Sequence, residues 1–470
     1  MKTTIVKTGI NGEGIGYIDH TPVFVPGALV NETVEITIVE KAQRFMRAKL
    51  DRVLTKSAAR VTPACAIQAK CGGCALMIAR YEDQLIAKQA LLRQSLIKYA
   101  QVNPRLIKDI RPSDDQFGYR NQCKLPCAMA DGKLTTGMYI PNSNYFQAVE
   151  YCPIHEPGLE EMRRKILAVL NEFSLTAYDY HQKKGIRSIV LRGVDGAYQA
   201  CLVSGLDDIP QECINMLMAI DGLKSLWQSI HTVKKTPDMF GAKMIHLAGT
   251  RHLHITLDDL TLQCSPRSFF QLNTKQAREL YRTIASLVPM KNRLLVEAYS
   301  GIGAISLYVR DRAEEIIGIE SVKDAVVNAN ANARSHHAEN VSFLCADAAD
   351  KLIYLSKQRS IDTLIVDPPR TGLDEPMLYA ICKSKIKNVL YVSCNPATLG
   401  KNLSVLTDHY EIEQIIPFDM FPNTPLIESV TVLRYKGSKK QKRNIDGAYR
   451  TYHSQLSNHR PKRSSSKITK

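Results

Sequence analysis

Apolar and polar positions follow three different rhythms along the chain. Up to about residue 56 the apolar residues come in short β-branched runs (TTIVKTG, GIGYIDH, TPVFVPG, ETVEITIVE, RFMRAKLDRVL) divided by Gly, Pro and Asn. Such runs predict five short strands, with tight turns or bulges at Gly12, Gly14, Gly16 and Pro26-Gly27. Strands of this length suit a small barrel of the OB type, an architecture that binds single-stranded nucleic acid. From Tyr81 to Ala100 Leu and Ile recur at helical spacing with no breaker. Residues 105–290 mix strands and helices, with a hairpin expected around Asp195-Gly196.

From Asn292 the rhythm becomes a regular alternation of strand-like and helix-like segments, from LLVEAYS through EIIGIE, VSFLCAD and DTLIVDPP to NVLYVSC. Apolar strand runs between helices predict a parallel sheet covered on both faces, hence an α/β fold. Ligands bind such sheets beyond the carboxyl ends of the strands. One crevice should therefore gather Tyr299–Gly303, Glu320, Asp367 and Cys394. The divisions so read are a barrel at 1–56, a cysteine segment with a helix at 57–104, a mixed α+β central domain at 105–290, the α/β domain at 291–436 and a tail at 437–470.

A length of 470 residues agrees with several domains, and 44% hydrophobic with 23% charged residues is ordinary for a globular protein. No apolar run approaches the ~20 residues that span a bilayer. The N-terminus, MKTTIVKTGI, lacks a signal-peptide core. A cytoplasmic monomer with no membrane partner is expected. The net charge of +16 is uneven, because residues 437–470 hold ten Lys or Arg against Asp446 alone. That tail is too poor in aliphatic residues to offset its ordering entropy, so it is expected to be disordered and to hold RNA phosphates.

Four groups carry chemistry in their spacing. Glu297-Ala-Tyr-Ser-Gly301-Ile-Gly303, followed by Glu320 at the next strand end, suits a ribose-bearing ligand. Ser306 stands where the third glycine of a dinucleotide fingerprint would be, which favours an adenosyl ligand without pyrophosphate. Asp367-Pro-Pro-Arg370 fixes a carboxylate at the crevice, although two prolines leaving a sheet also make a merely rigid turn. Ser393-Cys394-Asn395-Pro396 places a thiol where a helix begins, a position that favours a nucleophilic thiolate over a buried inert one. Cys65, Cys71 and Cys74 have metal-ligand spacing, and soft thiolates select iron–sulfur or zinc. A fourth thiolate could come from Cys152, or from the rival pair Cys123 and Cys127.

In this order the four groups resemble the RNA (uracil-5-)-methyltransferases, most strongly in SPRSFFQLN (265–273), DPPRTGL (367–373), SCNP (393–396) and IESV (427–430). The resemblance spans nearly the whole chain. It implies a C-terminal class I, Rossmann-like S-adenosylmethionine (SAM) methyltransferase domain, an N-terminal TRAM barrel, and a 4Fe–4S cluster on Cys65, Cys71, Cys74 and Cys152. It further implies SAM binding through Gln271, Tyr299, Gly301, Glu320, Asp347 and Asp367. By the same likeness Cys394 is the nucleophile, Glu428 the base, and Phe269 the aromatic that stacks on the target uracil. Tyr299 and Ala304 depart from the Phe and Asn frequent in relatives. The branch with TRAM domain and cluster implies 23S ribosomal RNA as substrate and 5-methyluridine as product. Transfer RNA is the alternative; a catalytically inactive RNA-binding or folding factor and a zinc-bound RNA-binding protein are alternatives of another class.

Overall fold

The computed structural model describes residues 1–437 except 235 and 237. From residue 438 onward the expected basic tail lies outside the described residues.

The N-terminal strands, between Lys2 and Thr55, curl around Ile5, Val23, Val25, Val34, Ile36 and Met46. The first expected strand is divided into Lys2–Thr4 and Lys7–Thr8. Between them the chain changes partners: Ile5 N–H donates to Glu32 O (2.8 Å) and Val6 N–H to Ile15 O (2.9 Å). A second sheet runs from Gln122 to Gly249. Its central hairpin, Ile186–Val194 and Ala197–Ser204, turns at Asp195-Gly196, where both φ angles are positive (52° and 76°) as a tight two-residue hairpin demands. Helices Pro157–Glu172 and Gln211–Met218 cover one face of this sheet.

The C-terminal sheet carries the crevice. Its strands are β1 (Asn292–Ala298), β2 (Ala313–Glu320), β3 (Val341–Cys345), β4 (Thr363–Val366), β5 (Asn388–Ser393), β6 (Tyr410–Phe418) and β7 (Glu428–Tyr435). Among the described residues their order is β3-β2-β1-β4-β5-β7-β6, and β7 alone runs opposite to the other six. Both faces are apolar for the reason seen in the sequence. Leu294, Val296, Leu364 and Val366 point to one core, and the alternate residues Leu295 and Ile365 to the other.

The first core is covered by helices Tyr81–Ala100, Ala348–Gln358, Glu375–Ser384 and Pro396–Leu406. The second is covered by the hairpin Leu253–Cys264, helix Thr274–Leu287 and helix Lys323–Ser335. Segments far upstream of β1 thus complete the layers on both faces of this sheet. Ile107 and Arg111 also bridge to Ile415 and Phe418, extending the sheet along β6.

The loop between β6 and β7 ties these parts together. Asp419 forms an ion pair with Lys88 in which both side chains are fully buried, and Lys88 also donates to Phe421 O at 3.0 Å. Asn423 N–H donates to Gln84 Oε1 (2.8 Å), Asn423 Nδ2 donates to Gln116 O (2.8 Å), and Leu76 N–H donates to Asn423 O (2.9 Å). Tyr119 donates to Pro422 O at 2.9 Å. Lys88→Ala strands a buried carboxylate and should cost about 3–5 kcal/mol. Denaturant unfolding measures it; a loss below about 1 kcal/mol would mean that water reaches Asp419.

Candidate active site

At the carboxyl end of β1 the chain turns through Tyr299–Gly303. Tyr299 has φ +65°, a strained conformation for an aromatic residue, and Gly301 has φ +54° with open space where a Cβ would stand. Gly303 is required sterically: at φ +83°, an added Cβ would lie 2.4 Å from the Phe343 ring. Glu320, ending β2, accepts the N–H groups of Gly301 (3.0 Å) and Val322 (2.8 Å). Asp347 follows β3 and caps the next helix, accepting from Asp350 N–H at 3.0 Å. Ser300 Oγ is buried with no hydrogen-bond partner among the described residues. A cradle with an orphaned hydroxyl, open glycine backbone and an oriented carboxylate fits a polar adenosyl ligand.

Ser306 has a role of its own. Its N–H and hydroxyl both donate to the buried Glu297 Oε2, the N–H at 2.9 Å. Burial nevertheless pushes Glu297 up to about 8 against these bonds, with Asp367 adding to the rise. Folded Glu297 therefore keeps its proton up to about pH 8, whereas the unfolded group ionises near 4.5. Between those values the unfolded state binds fewer protons, so stability falls as pH rises. Glu297→Gln should flatten that slope in thermal unfolding followed across the window. An unchanged slope would mean that Glu297 is ionised in the fold.

Asp367 lies one residue past β4, where two prolines cannot continue the ladder. The following turn is closed by Gly372 N–H on Pro369 O (2.8 Å). Buried Asn402 then holds it, accepting from Leu373 N–H (2.9 Å) and from the Tyr391 hydroxyl (2.7 Å), and donating to Leu373 O (2.9 Å). Asn402→Ala leaves these groups buried without partners, at about 1–3 kcal/mol for each. Chemical denaturation should register a loss of that order.

Cys394 lies one residue past β5 and is half-buried; Asn395 caps the helix behind it by accepting from Ala397 N–H at 3.0 Å. Asn395 Nδ2 (3.1 Å) and Thr398 Oγ1 (3.3 Å) both donate to Arg370 O, locking the two turns together. Glu428 reaches this place because β7 is antiparallel. Ser429 pairs with Ser393, so β7 begins where β5 ends. The electrostatics follow from this proximity. Cys394 is pushed up to about 12 by burial, then by Glu428 and Asp367, with Arg370 opposing. Burial takes Asp367 to about 7, and burial with the Asp367 charge holds Glu428 well above the carboxylate range.

Phe269 is 63% exposed at the rim, while Phe270 is buried beneath it. With Gln271, Glu297, Tyr299, Gly301 and Asp367, Phe269 lines a cavity at the crevice. Its loop is held by residues that the sequence did not single out. Arg192 donates to Ser268 O (2.7 Å), Asn328 to the Ser265 (3.1 Å) and Ser268 (2.7 Å) hydroxyls, and Asn121 to Gln271 O (3.0 Å). An Arg following the apolar run IVL in the strand IRSIVLRGV was the available signal for the first of these.

Away from the crevice, half-buried Cys65, Cys74 and Cys152 gather against Met77, Tyr119 and Ile154. Burial pushes Cys74 up to about 12, with Cys152, Cys71 and Cys65 adding to it in that order. Cys152 rises to about 11, mainly by burial. Cys123 and Cys127 instead lie in the core of the central sheet. Among the described residues no three His, Cys, Asp or Glu side chains are grouped so as to hold a metal ion.

A parallel sheet with one antiparallel strand, a glycine-bearing turn after β1 and a carboxylate closing β2 define a SAM-dependent methyltransferase. Comparison with known proteins specifies which kind. The tRNA (Uracil-5-)-methyltransferase family matches residues 248–436, and the TRAM domain matches residues 3–50. An uncharacterized RNA methyltransferase of Bacillus cereus is 34% identical over 441 residues, covering 92% of this chain and 95% of that protein. One from Listeria innocua is 33% identical over 443 residues, covering 92% and 96%. The fold is shared with Pyrococcus abyssi tRNA (uracil-54, C5)-methyltransferase, solved with S-adenosyl-L-homocysteine, at TM-score 0.73 and 24% identity, covering 92% of this chain and all of that one. The chain belongs to the TRAM-containing RNA (uracil-5-)-methyltransferase family. Among the described residues no helix is long and apolar enough to cross a membrane.

Proposed function

We propose that the protein forms 5-methyluridine in 23S ribosomal RNA, with Cys394 as nucleophile and Glu428 as base. The observation that carries this reading is the meeting of Cys394, Glu428 and Asp367 at one end of the central strands. Uracil C5 is too weak a nucleophile to take a methyl group directly. Addition of Cys394 Sγ to C6 moves the C5–C6 π electrons toward C4=O and gives C5 enolate character. Gln271, Tyr299, Gly301, Glu320, Asp347 and Asp367 would hold SAM, which would supply an electrophilic methyl group and depart as S-adenosylhomocysteine. Once C5 is methylated, Glu428 takes the C5 proton, the C5–C6 double bond re-forms and the thiolate leaves. Burial raises the affinity of Glu428 for a proton, so its carboxylate must be freed by a positive charge arriving in the crevice before it can accept this one. A positive charge arriving beside Asp367 would favour the Cys394 thiolate. Exposed Phe269 offers a stacking face for the uracil once it is flipped from the RNA.

We assign a 4Fe–4S cluster to Cys65, Cys71, Cys74 and Cys152. What supports the assignment is the gathering of Cys65, Cys74 and Cys152 against one small apolar core and the charge that Cys152, Cys71 and Cys65 each exert on Cys74, since soft thiolates are the ligands such clusters take. Anaerobically purified protein should be brown and carry iron and sulfide, both lost in Cys71→Ser. A colourless zinc protein would overturn the assignment.

Transfer RNA is the second reading, favoured by the description of the matched family and by the tRNA enzyme that shares the fold. Methyl transfer from labelled SAM to separated, unmodified ribosomal and transfer RNA, followed by nucleoside digestion, tests both. Label in 5-methyluridine from ribosomal RNA is expected. Label from transfer RNA alone would move the substrate, and none from either would favour an inactive RNA-binding factor.

A further inference from the structure

The loop carrying Phe269 has a second cavity on its other flank, of about 210 Å³. It is lined by Trp227 and Met244 of the central sheet, by Arg251 and Arg267, and by Val327 on helix Lys323–Ser335. Three features make it more than a packing gap. Trp227 spends its indole N–H within the sheet, on Ser225 Oγ at 3.0 Å, and its ring leans on His246 at 4.9 Å, leaving a half-exposed apolar surface. Arg251 and Arg267 are exposed at the rim with Asp324, so the apolar floor is edged by two guanidinium groups and one carboxylate, a net positive charge. Val327 is 57% exposed on the facing helix, an apolar residue with no core to explain it.

We propose that this cavity binds a second unstacked base of the RNA, adjacent to the target uridine, with its phosphate at Arg251. The inference rests on the RNA methyltransferase reading and deepens it. An apolar aromatic floor with cationic edges is the chemistry that single-stranded RNA meets in stacking platforms. The two cavities share one loop: Arg267 lines this one and Phe269 the crevice. Two residues span at most ~7 Å, so neighbouring nucleotides of a splayed strand could reach both cavities. Asn328 holds Ser265 and Ser268 between them, which keeps the partition rigid. Binding two neighbours apart from each other would help to keep the target base out of its stack.

The chain has a single tryptophan, so its emission reports on this cavity alone. The full-length protein is titrated with an RNA hairpin whose loop is rich in uridine, with tryptophan emission and, in a parallel titration, anisotropy of end-labelled RNA recorded. Quenching that follows binding is expected. Val327→Glu places an acid at the rim without touching the core, and should weaken RNA binding roughly 5- to 150-fold, the range of one lost stacked base. Arg251→Ala should lower the slope of log affinity against log salt by about 1. RNA bound with no change in emission, or bound by Val327→Glu as by the natural protein, overturns the proposal. Methyl transfer by the natural protein is scored separately: transfer without quenching sinks only this cavity, and quenching without transfer sinks only the catalytic reading.

Discussion

Cys394→Ala is expected to abolish 5-methyluridine formation, with a loss on the order of 10⁴-fold or more, while RNA and SAM still bind. The size follows from what the thiol does. Without addition to C6, C5 has no enolate character, and among the described residues gathered at these strand ends no other is a nucleophile of comparable strength. The substitution removes one sulfur from a half-buried position at a strand end, so the fold should survive it. Label counted in nucleosides gives the first quantity, and filter binding of RNA with calorimetry of SAM gives the others. Activity within about tenfold of the natural protein would mean that attack at C5 needs no covalent step.

Glu428→Gln should fail differently. Addition and methylation precede proton removal, so a protein without its base should stop at the methylated adduct, covalently joined to RNA. Turnover should fall about 10²–10⁴-fold, the usual contribution of a general base. A protein–RNA species that survives denaturing electrophoresis, carries label from SAM and is absent in Cys394→Ala is the expected signature. Turnover lost without such a species would place Glu428 before the addition step, as the group that deprotonates Cys394. Glutamine keeps the shape and removes the buried proton-binding group, so the stability of the variant should change little below neutral pH.

The sequence made the catalytic sheet legible because its strands are apolar on both faces, which only a doubly covered parallel sheet requires. It also indicated the crevice, since the strand ends at Tyr299, Glu320, Asp367 and Cys394 converge on any such sheet. Glu428 was not legible from pattern: it opens a strand, and only the reversed direction of β7 brings that opening beside Cys394. The helix Tyr81–Ala100 could be read as a helix but not as a cover of the catalytic sheet, because an apolar stripe does not name what it packs against. Buried Lys88, Arg163 and Arg192 escaped for a related reason. A charged side chain in a sequence reads as surface, and its partners Asp419, Glu160 and Ser268 are found only after folding.

The loop between β6 and β7 bears on how this enzyme could be re-engineered. It ends at the proposed base, yet its shape is set by Leu76, Gln84, Lys88, Gln116 and Tyr119, all more than three hundred residues earlier in the chain. A fragment of residues 291–436 would have the strands of the sheet and none of these anchors. The protein is therefore a poor source of exchangeable modules cut at linear boundaries. A chimera meant to carry this chemistry to a new RNA should keep residues 57–436 as one inheritance, because Asn121 and Arg192 of the central domain hold the Phe269 loop, and exchange only the N-terminal barrel.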